Sequence, residues 1–269
     1  MTMSSTEWGS EVVDVDAYLA RIGLSRVPTT ADGLRAMHIA HVRAIPFENI
    51  DVVLRRHRGI ALDVIAAKLV DQVRGGYCYE HALLFAAVAE RLGFAVRRGM
   101  ARVRPRGSGL RTHMMLIVTA EGADFLVDVG FGAGMWQPTP LVDGVEVDQA
   151  GWPHRLHREG PLWVMSKLVD GEWEVLHQFD DTPTRPVDYE VAHHYVSTHP
   201  RSPFVNQVVV MRLDEGLSRR LVGHVLTEEH ADGRVRKTCV AEDNMAEVLR
   251  GLDVEPRPAD LTRLIKYFG

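Results

Sequence analysis

The fold is decided by the stretch Arg74-Gly75-Gly76-Tyr77-Cys78-Tyr79-Glu80, which places a cysteine where a helix begins. The glycine pair stops the preceding helix and lets backbone or a ligand approach closely. Apolar residues then recur at helical spacing, and Gly93 follows where a C-terminal cap belongs. Cys78 therefore lies in the first helical turn, where unpaired N–H groups and the positive dipole end favour a thiolate. An isolated cysteine is more often a small buried core residue, so the nucleophile hypothesis needs partners.

The region upstream of this stretch has the apolar spacing of helices from residue 12 onward. The predicted helices run from Asp16 to Gly23, from a cap at Thr30 or Asp32 to Pro46, from Leu62 to Val73, and from Cys78 to Gly93. Pro46-Phe47-Glu48-Asn49-Ile50-Asp51 is predicted to form an ordered turn. Residues 1–93 are therefore expected to form a small helical bundle with the thiol at its edge.

At Phe94 the pattern changes from helical to alternating, which is typical of strands. The predicted strands are Phe94 to Arg104, Thr112 to Val118, Ala123 to Val129, Leu162 to Leu168 and Trp173 to Gln178. Glu121-Gly122 links the second strand to the third, and Asp170-Gly171 is a strong two-residue hairpin signal. The segment from Leu141 to Gly160 is rich in turns and receives no assignment. Residues 94–190 are expected to form an antiparallel β-barrel.

The last part of the chain mixes both patterns, and residues 191–269 are expected to form an α/β lid over the rest. Strands are predicted over Asn206 to Leu213, Ser218 to Leu226 and Val235 to Val240, with a hairpin at Asp232-Gly233. Helices are predicted over Ala241 to Leu252 and Pro258 to Phe268. The fold class is thus α+β.

Composition and charge narrow the classes of function. A net charge of −5 over 269 residues argues against general nucleic-acid binding. Two cysteines, Cys78 and Cys239, cannot build a disulfide framework and fit a reducing compartment. The first ten residues have no secretion-signal pattern, and no apolar run approaches the roughly 20 residues that span a bilayer. We therefore expect a cytoplasmic protein that does not insert into membranes.

A nucleophilic thiol needs a base, and the base usually needs a group that orients it. His113 lies on a predicted strand, and Asp128 lies on the next one, where an unpaired carboxylate would be costly. A two-residue turn at Ala120-Glu121 would place the two directly opposite each other on one face, although a bulge at Gly122 would shift the register by one. The competing interpretations are a satisfied core histidine and a carboxylate that supports a turn.

Two further patterns bear on ligands. His193-His194 and His199 match no compact ligand spacing and have no accompanying carboxylate motif, so no metal site is predicted. Gly130-Phe131-Gly132-Ala133-Gly134 follows Asp128 and has backbone N–H groups that can face an anion, as in a phosphate-bearing cosubstrate. An arginine-rich segment precedes this glycine-rich loop. Two interpretations of the segment remain open: it contacts the phosphates of a ligand, or it forms a solvated face of a strand. Its residues are Arg97, Arg98, Arg102, Arg104, Arg106 and Arg111.

Taken together, these residues resemble the arylamine N-acetyltransferase family. The resemblance rests on five segments in the same order as in the family. They are Pro46-Phe47-Glu48-Asn49, Arg74-Gly75-Gly76-Tyr77-Cys78-Tyr79-Glu80, Thr112-His113-Met114, Val127-Asp128-Val129-Gly130-Phe131-Gly132 and Ser202-Pro203-Phe204.

The resemblance implies a helical bundle, a central β-barrel and an α/β lid, with a papain-like triad of Cys78, His113 and Asp128. It implies acetyl-CoA as donor and arylamines or hydrazines as small-molecule acceptors. It also implies that Thr112, Gly130, Phe131 and Gly132 lie along CoA, and that Phe131 and Phe204 wall the acceptor pocket.

The mechanism expected from these residues is ping-pong acetyl transfer through an acetyl-cysteine. A hydrolase or transglutaminase-like enzyme with the same triad, an amide synthase with another acyl chain, and a non-enzymatic binding module are the alternatives. The sequence leaves the physiological amine and the oligomeric state open.

Overall fold

Helices dominate the N-terminal part of the chain in the computed structural model, which describes residues 7–105, 109–132 and 134–267. The elements are α1 (Val15–Arg21), α2 (Ala31–Ala44), β1 (Phe47–Glu48), α3 (Ile50–Val53), α4 (Leu62–Ala66) and α5 (Cys78–Arg91). A 3-10 turn at Ser10–Val12 precedes α1, and a π-helical turn at Ala67–Asp71 continues α4. The helix predicted from Cys78 onward is confirmed. The ordered turn predicted from Pro46 to Asp51 contains β1 and the start of α3.

Local chemistry explains most of these boundaries. The Thr30 hydroxyl caps α2 by accepting from the Gly33 N–H at 3.1 Å, and Gly93 ends the region of α5 with φ of 96°. The prediction that the third helix extends through Val73 is wrong. The chain leaves that helix through a wide turn in which Arg74 N–H donates to the Lys68 carbonyl at 3.1 Å. Val73 consequently has φ of 53° and is 60% exposed.

Helix α5 is the centre of the molecule. Every residue from Cys78 to Ala89 is buried, and the helix packs against α1, α4, and strands of the following sheet. A helix that is buried on all sides is stabilised mainly by packing against its neighbours. The first turn of α5 faces the sheet. No helix in the described ranges combines the length and apolarity needed to cross a membrane. The cytoplasmic location stays a prediction.

The middle of the chain forms an eight-stranded antiparallel sheet. Its strands are β2 (Ala95–Val103), β3 (Arg111–Ala120), β4 (Ala123–Val127), β5 (Thr139–Pro140), β6 (Val145–Gln149), β7 (Trp152–Glu159), β8 (Leu162–Val169) and β9 (Glu172–Phe179). They pair in the order β5-β4-β3-β2-β9-β8-β7-β6. The two edge strands meet through side chains, because Gln149 Nε2 donates to Thr139 Oγ1 at 3.1 Å. The predicted barrel is thus present as a nearly closed, barrel-like sheet.

The hairpin turns follow the glycine signals. Asp170 and Gly171 have φ of 50° and 84°, which confirms the predicted hairpin between β8 and β9. The Glu121-Gly122 link between β3 and β4 is also confirmed. The segment that received no assignment contains β6 and β7, which turn at Ala150-Gly151, where both φ angles are positive.

A second sheet joins the two ends of the chain. After α6 (Pro186–Thr198), the chain contributes four strands to this sheet: β10 (Val209–Asp214), β11 (Leu217–Val222), β12 (Val225–His230) and β13 (Val235–Cys239). Two helices follow the last strand: α7 (Met245–Gly251) and α8 (Pro258–Leu264). The strand order is β1-β10-β11-β12-β13, so the N-terminal part contributes the edge strand β1. Helix α6 runs through residue 190, where the central part was predicted to end. The division into 1–93, 94–190 and 191–269 stays a prediction.

Two predictions in this region are corrected. The single strand from Ser218 to Leu226 is in fact β11 and β12, because Gly223 takes φ of 56° and its N–H donates to the Val208 carbonyl, which turns the chain. The predicted helix from Ala241 starts later, at Met245, after a 3-10 turn at Glu242–Asn244. The Asp232-Gly233 hairpin is confirmed. Phe268, the predicted end of the last helix, lies outside the described residues.

Candidate active site

Cys78 is the first residue of α5, and it is 6% exposed. The helix start is capped from inside the helix, because Glu80 Oε2 accepts from the Tyr77 N–H at 3.0 Å. The reciprocal half of a capping box is absent here, since the Tyr77 hydroxyl is bonded to His193 Nδ1 instead. The first-turn N–H groups of Cys78 and Tyr79 have no partner within the helix and carry its positive dipole end.

The two glycines before Cys78 are required by close packing. A Cβ on Gly75 would lie 2.3 Å from the Pro46 carbonyl oxygen, and a Cβ on Gly76 would lie 2.9 Å from the Glu80 Cβ. Gly76 also pairs with Phe47 in an isolated parallel bridge. The predicted close approach is therefore an approach of backbone to backbone, and it ties the cysteine segment to β1.

A buried cluster of charges lies beneath this segment, and we call it the Lys68 cluster. It consists of Glu48, Asp51, Lys68, Arg74 and Glu80. Lys68 Nζ lies 2.9 Å from Glu80 Oε1, 3.1 Å from Asp51 Oδ2 and 3.8 Å from Glu48 Oε1. Burial alone would raise the pKa of Glu80, but the charge and hydrogen bonds of Lys68, together with the contact to His57, outweigh burial and lower that pKa to about 2. Glu80 is thus an ionised cap, held in place to fix the start of α5.

His113 and Asp128 form a buried pair. His113 Nε2 lies 2.9 and 2.8 Å from the two carboxylate oxygens of Asp128, and the side chains are 6% and 0% exposed. Burial lowers the pKa of His113, but the Asp128 carboxylate outweighs burial, contact with Cys78 adds to the rise, and the pKa reaches about 10. Burial raises the pKa of Asp128, yet His113 outweighs it and brings that pKa to about 2. The arrangement favours an imidazolium beside a carboxylate.

The predicted register of this pair is wrong by two residues. Ala120 pairs with Ala123, so the turn is at Glu121-Gly122 rather than at Ala120-Glu121. Strand β4 ends at Val127, opposite Leu116, and Asp128 follows directly after the strand. Because side chains alternate with a period of two, a shift of two residues leaves both groups on the same face. His113 therefore meets Asp128 diagonally.

The third member of the predicted triad lies beside this pair. Since Nε2 of His113 is bonded to Asp128, Nδ1 is the ring nitrogen that remains for Cys78. Gly130 packs against Cys78 from the same loop as Asp128, because a Cβ there would lie 2.8 Å from both the Cα and the carbonyl oxygen of Cys78. The cysteine, the histidine and the aspartate are thus brought together from α5, β3 and the end of β4.

His177 is a neighbour of the pair that the sequence reading missed. It lies on β9, is fully buried, and places Nε2 3.4 Å from Asp128 Oδ2. Its ring centroid is 5.8 Å from that of His113. Burial lowers the pKa of His177, so a neutral ring faces the carboxylate. The alternation of inward residues along β9, with His177 two positions before the buried Phe179, is the signal that would have found it.

The residues assigned to ligands lie around this centre. The ring centroid of Phe131 is 5.2 Å from those of His113 and His177. Phe204 lies on the side of the cysteine segment, with its centroid 5.9 Å from Phe47. The Tyr79 hydroxyl donates to the Thr112 carbonyl, which ties β3 to the first turn of α5. Gly132 has φ of 82° and lies against Met211, where a Cβ would come within 2.5 Å of Sδ.

The basic segment predicted as a possible phosphate contact is largely paired within the protein. Arg97 binds Asp124 at 2.8 Å, Arg98 binds Glu90 at 2.6 Å and lies over Trp8, and Arg111 binds Asp180 at 2.6 Å. Arg102 donates to the Gly109 carbonyl at 2.8 Å. Arg106 lies outside the described residues. These contacts favour the interpretation as a strand face.

The second cysteine and the possible metal ligands are the remaining candidate groups. Cys239 is exposed on β13, whereas Cys78 is buried in the centre. Within the described ranges, no group of three or more histidine, cysteine, aspartate or glutamate side chains is placed to hold a metal ion.

Comparison with known proteins agrees with this geometry. Residues 30–255 match a family model described as N-acetyltransferase. The arylamine N-acetyltransferase of Mycolicibacterium smegmatis is 39% identical over 247 residues, which cover 88% of this chain and 89% of the relative. The structure of the Mycobacterium abscessus arylamine N-acetyltransferase superposes with a TM-score of 0.93 at 31% identity, covering 100% and 99% of the two chains. A Mycobacterium marinum arylamine N-acetyltransferase in complex with CoA superposes with a TM-score of 0.86 at 33% identity, covering 94% and 99%. The chain belongs to the arylamine N-acetyltransferase family and is an acyltransferase.

Proposed function

We propose that this protein transfers the acetyl group of acetyl-CoA to arylamines and hydrazines by a ping-pong mechanism, with Cys78 as nucleophile. The observation that carries the proposal is the placement of Cys78, at the first turn of a buried helix beside the bonded pair of His113 and Asp128. A thiol attacks as thiolate, and an imidazolium held by a carboxylate stabilises that thiolate.

In the first half-reaction the Cys78 thiolate attacks the carbonyl carbon of acetyl-CoA. A bond forms between Sγ and that carbon, and the bond from the carbon to the CoA sulfur breaks. The departing CoA thiolate takes the proton of His113. Acetyl-cysteine and neutral imidazole remain, with Asp128 holding the ring in the tautomer that presents Nδ1 to the thioester.

In the second half-reaction an amine attacks the thioester carbon. The carbon–nitrogen bond forms, the carbon–Sγ bond breaks, and the amine proton passes to His113. This returns the enzyme to thiolate and imidazolium. Acyl exchange between two thiols changes little in bond energy, so the acetyl group stays activated until the amine arrives.

The oxyanion of each tetrahedral intermediate needs hydrogen-bond donors. Glu80 occupies the Tyr77 N–H, so the N–H groups of Cys78 and Tyr79 are the donors available at the helix start. Their orientation depends on the cap and on the Lys68 cluster beneath it. We assign the oxyanion site to this first turn.

The donor and acceptor sites extend from the same centre. We place CoA along Thr112 and the loop of Gly130, Phe131 and Gly132, whose backbone lies next to Cys78. That CoA is the ligand is supported by the CoA complex of the M. marinum relative. The acceptor ring is assigned to the space between Phe131, which is next to His113, and Phe204, which is next to the Tyr77 ring. Stacking on aromatic walls suits a flat arylamine.

Steady-state kinetics test the proposal. With acetyl-CoA and an arylamine varied together, double-reciprocal plots are expected to give parallel lines, and each acetylated amine is matched by one CoA released. Longer acyl-CoA donors and acceptor-free reactions separate the alternatives, since an amide synthase prefers another acyl chain and a hydrolase releases CoA over many turnovers without an amine. Intersecting lines, or continued release of more than one CoA per active site without an acceptor, would reject the mechanism.

A further inference from the structure

Three buried side chains connect α1 to the segment before the nucleophile. The Tyr18 hydroxyl lies 2.7 Å from His41 Nδ1, and His41 Nε2 lies 2.8 Å from His81 Nδ1. His81 Nε2 lies 3.0 Å from the Gly76 carbonyl oxygen. All three side-chain residues are at most 1% exposed. We call this chain of hydrogen bonds the Tyr18 relay.

The direction of every hydrogen bond in the relay is determined by its last member. A carbonyl oxygen only accepts, so His81 carries its proton on Nε2. Burial lowers the pKa of His81 to about 4 and the pKa of His41 well below its usual value, so both rings are neutral. Nδ1 of His81 therefore accepts from His41 Nε2–H, and Nδ1 of His41 accepts from the Tyr18 hydroxyl. One arrangement of protons satisfies the whole chain.

The relay ends on a peptide that sets the position of Cys78. The Gly76 carbonyl also accepts from the Glu48 N–H at 2.8 Å, so it has two donors. The N–H of the same peptide, that of Tyr77, donates to Glu80 Oε2 at 3.0 Å. The peptide between Gly76 and Tyr77 is thus held from both sides, directly before Cys78.

Apolar side chains could fill the same volume, and they would have no buried polar groups that need hydrogen-bond partners. The relay therefore has a role beyond the filling of space in the core. A buried polar chain is costly when any member loses its partner, and when complete it specifies one geometry. We propose that Tyr18, His41 and His81 are positioning residues that fix the Gly76 carbonyl and thereby aim Cys78. This proposal rests on the proposed role of Cys78 as nucleophile.

The proton arrangement is tested without any reaction, by nitrogen-15 NMR of histidine-labelled protein at pH 7. His41 and His81 are expected to be neutral with the proton on Nε2. His38 and His154 serve as internal references of the opposite tautomer, because their Nδ1 atoms face the backbone carbonyls of Trp136 and Trp152 at 3.0 and 2.9 Å. Single glutamine variants assign the signals. A proton on Nδ1 of either relay histidine would overturn the proposal.

The positioning role is tested by the rate of Cys78 acetylation per titrated active site. His81→Met removes the donor to the carbonyl and is expected to lower the maximal rate roughly tenfold, the scale on which one buried hydrogen bond acts, with the KM for acetyl-CoA unchanged. His81→Gln keeps a terminal N–H and is expected to stay within about threefold of wild type.

Tyr18→Phe removes a single oxygen atom and provides the same test if His81→Met does not fold. Its control is Tyr189→Phe, which deletes an equally buried hydroxyl bonded to Thr184 outside the relay. A rate loss in Tyr18→Phe but not in Tyr189→Phe supports the relay. Rates within about twofold of wild type for folded Tyr18→Phe and His81→Met would reject it. Acetylation of the wild-type protein tests the nucleophile separately, so the two failures are distinguishable.

Discussion

Asp128→Asn is the change whose effect follows most directly from the geometry. It keeps the shape of the side chain and one acceptor for His113 Nε2, and it removes the negative charge. That charge is the main reason why the pKa of His113 stands at about 10 instead of 6.5. At about 1.36 kcal/mol per pH unit, this net rise, in which burial opposes the carboxylate, corresponds to about 5 kcal/mol in favour of the imidazolium. We expect a loss of roughly 10²- to 10⁴-fold in turnover, the upper value being that of the matching change in serine triads.

The loss is expected in both half-reactions, because His113 serves in each. The assay follows CoA release in a single turnover and then acetyl transfer to an arylamine, with circular dichroism and the melting temperature as checks on folding. Asp124→Asn is the control, since Asp124 lies on the strand that Asp128 follows and pairs with Arg97 at the surface. A folded Asp128→Asn enzyme with turnover like that of Asp124→Asn would refute the assigned role of the carboxylate.

Three further predictions follow from packing and charge. Gly130→Ala forces a Cβ to within 2.8 Å of the Cys78 backbone, and we expect it to slow acetylation of Cys78 at least roughly tenfold. Gly251→Ala is the control, because a Cβ there has no atom within 4 Å and the acetylation rate should not change. Equal rates in the two variants would contradict the assigned packing of Gly130 on Cys78. Lys68→Met leaves three buried carboxylates without their central cation, and we expect it to lower the free energy of unfolding in urea by about 3–5 kcal/mol. The control Lys167→Met is expected to lower it by less than about 1 kcal/mol. Similar losses in the two variants would show that the Lys68 cluster is not stabilising. The two relay histidines have pKa values lowered by burial in the folded state, whereas the usual histidine pKa of about 6.5 applies when they are unfolded. Their contribution to stability is therefore present above pH 6.5 and falls toward pH 5, by about 1.5 kcal/mol for His81 and in the same direction for His41. Unfolding free energies that stay constant over that window would count against neutral rings.

The position of Cys78 at a helix start was predictable from sequence because its causes are local. Paired glycines, a glutamate three residues after the cap and a run of apolar residues all lie within 20 positions of Cys78. The structure adds the reason for the glycines, which is the close approach of the Pro46 carbonyl to Gly75 and of the Glu80 side chain to Gly76. The full burial of α5 was not predictable from its spacing, since the sheet that covers its other face is supplied by later residues.

The contact between His113 and Asp128 was predicted through a register that proved wrong. The prediction survived because the error was two residues, and the face of a strand depends only on whether the shift is odd or even. A shift of one residue, such as a bulge at Gly122, would have separated the groups. Turn geometry decides this, and it depends on the φ values of 50° and 81° at Glu121 and Gly122.

The residues that support the site were missed because their partners are distant in sequence. His41 contacts Tyr18 and His81, which lie 23 and 40 positions away. A local signal did exist, since His38 and His41 share the buried face of α2 with Leu34 and Met37. Such a pattern identifies buried histidines, but only the assembled fold identifies what they bind.

The central claim is that Cys78 carries the acetyl group, and labelling with carbon-13 acetyl-CoA tests it directly. The protein is mixed with labelled donor alone, its intact mass is measured, and its peptides are mapped before and after an arylamine is added. We expect one acetyl group per chain on Cys78, none on the exposed Cys239, and complete discharge to the amine. A label on Cys239, or amine acetylation with no label on Cys78 at any time, would contradict the account.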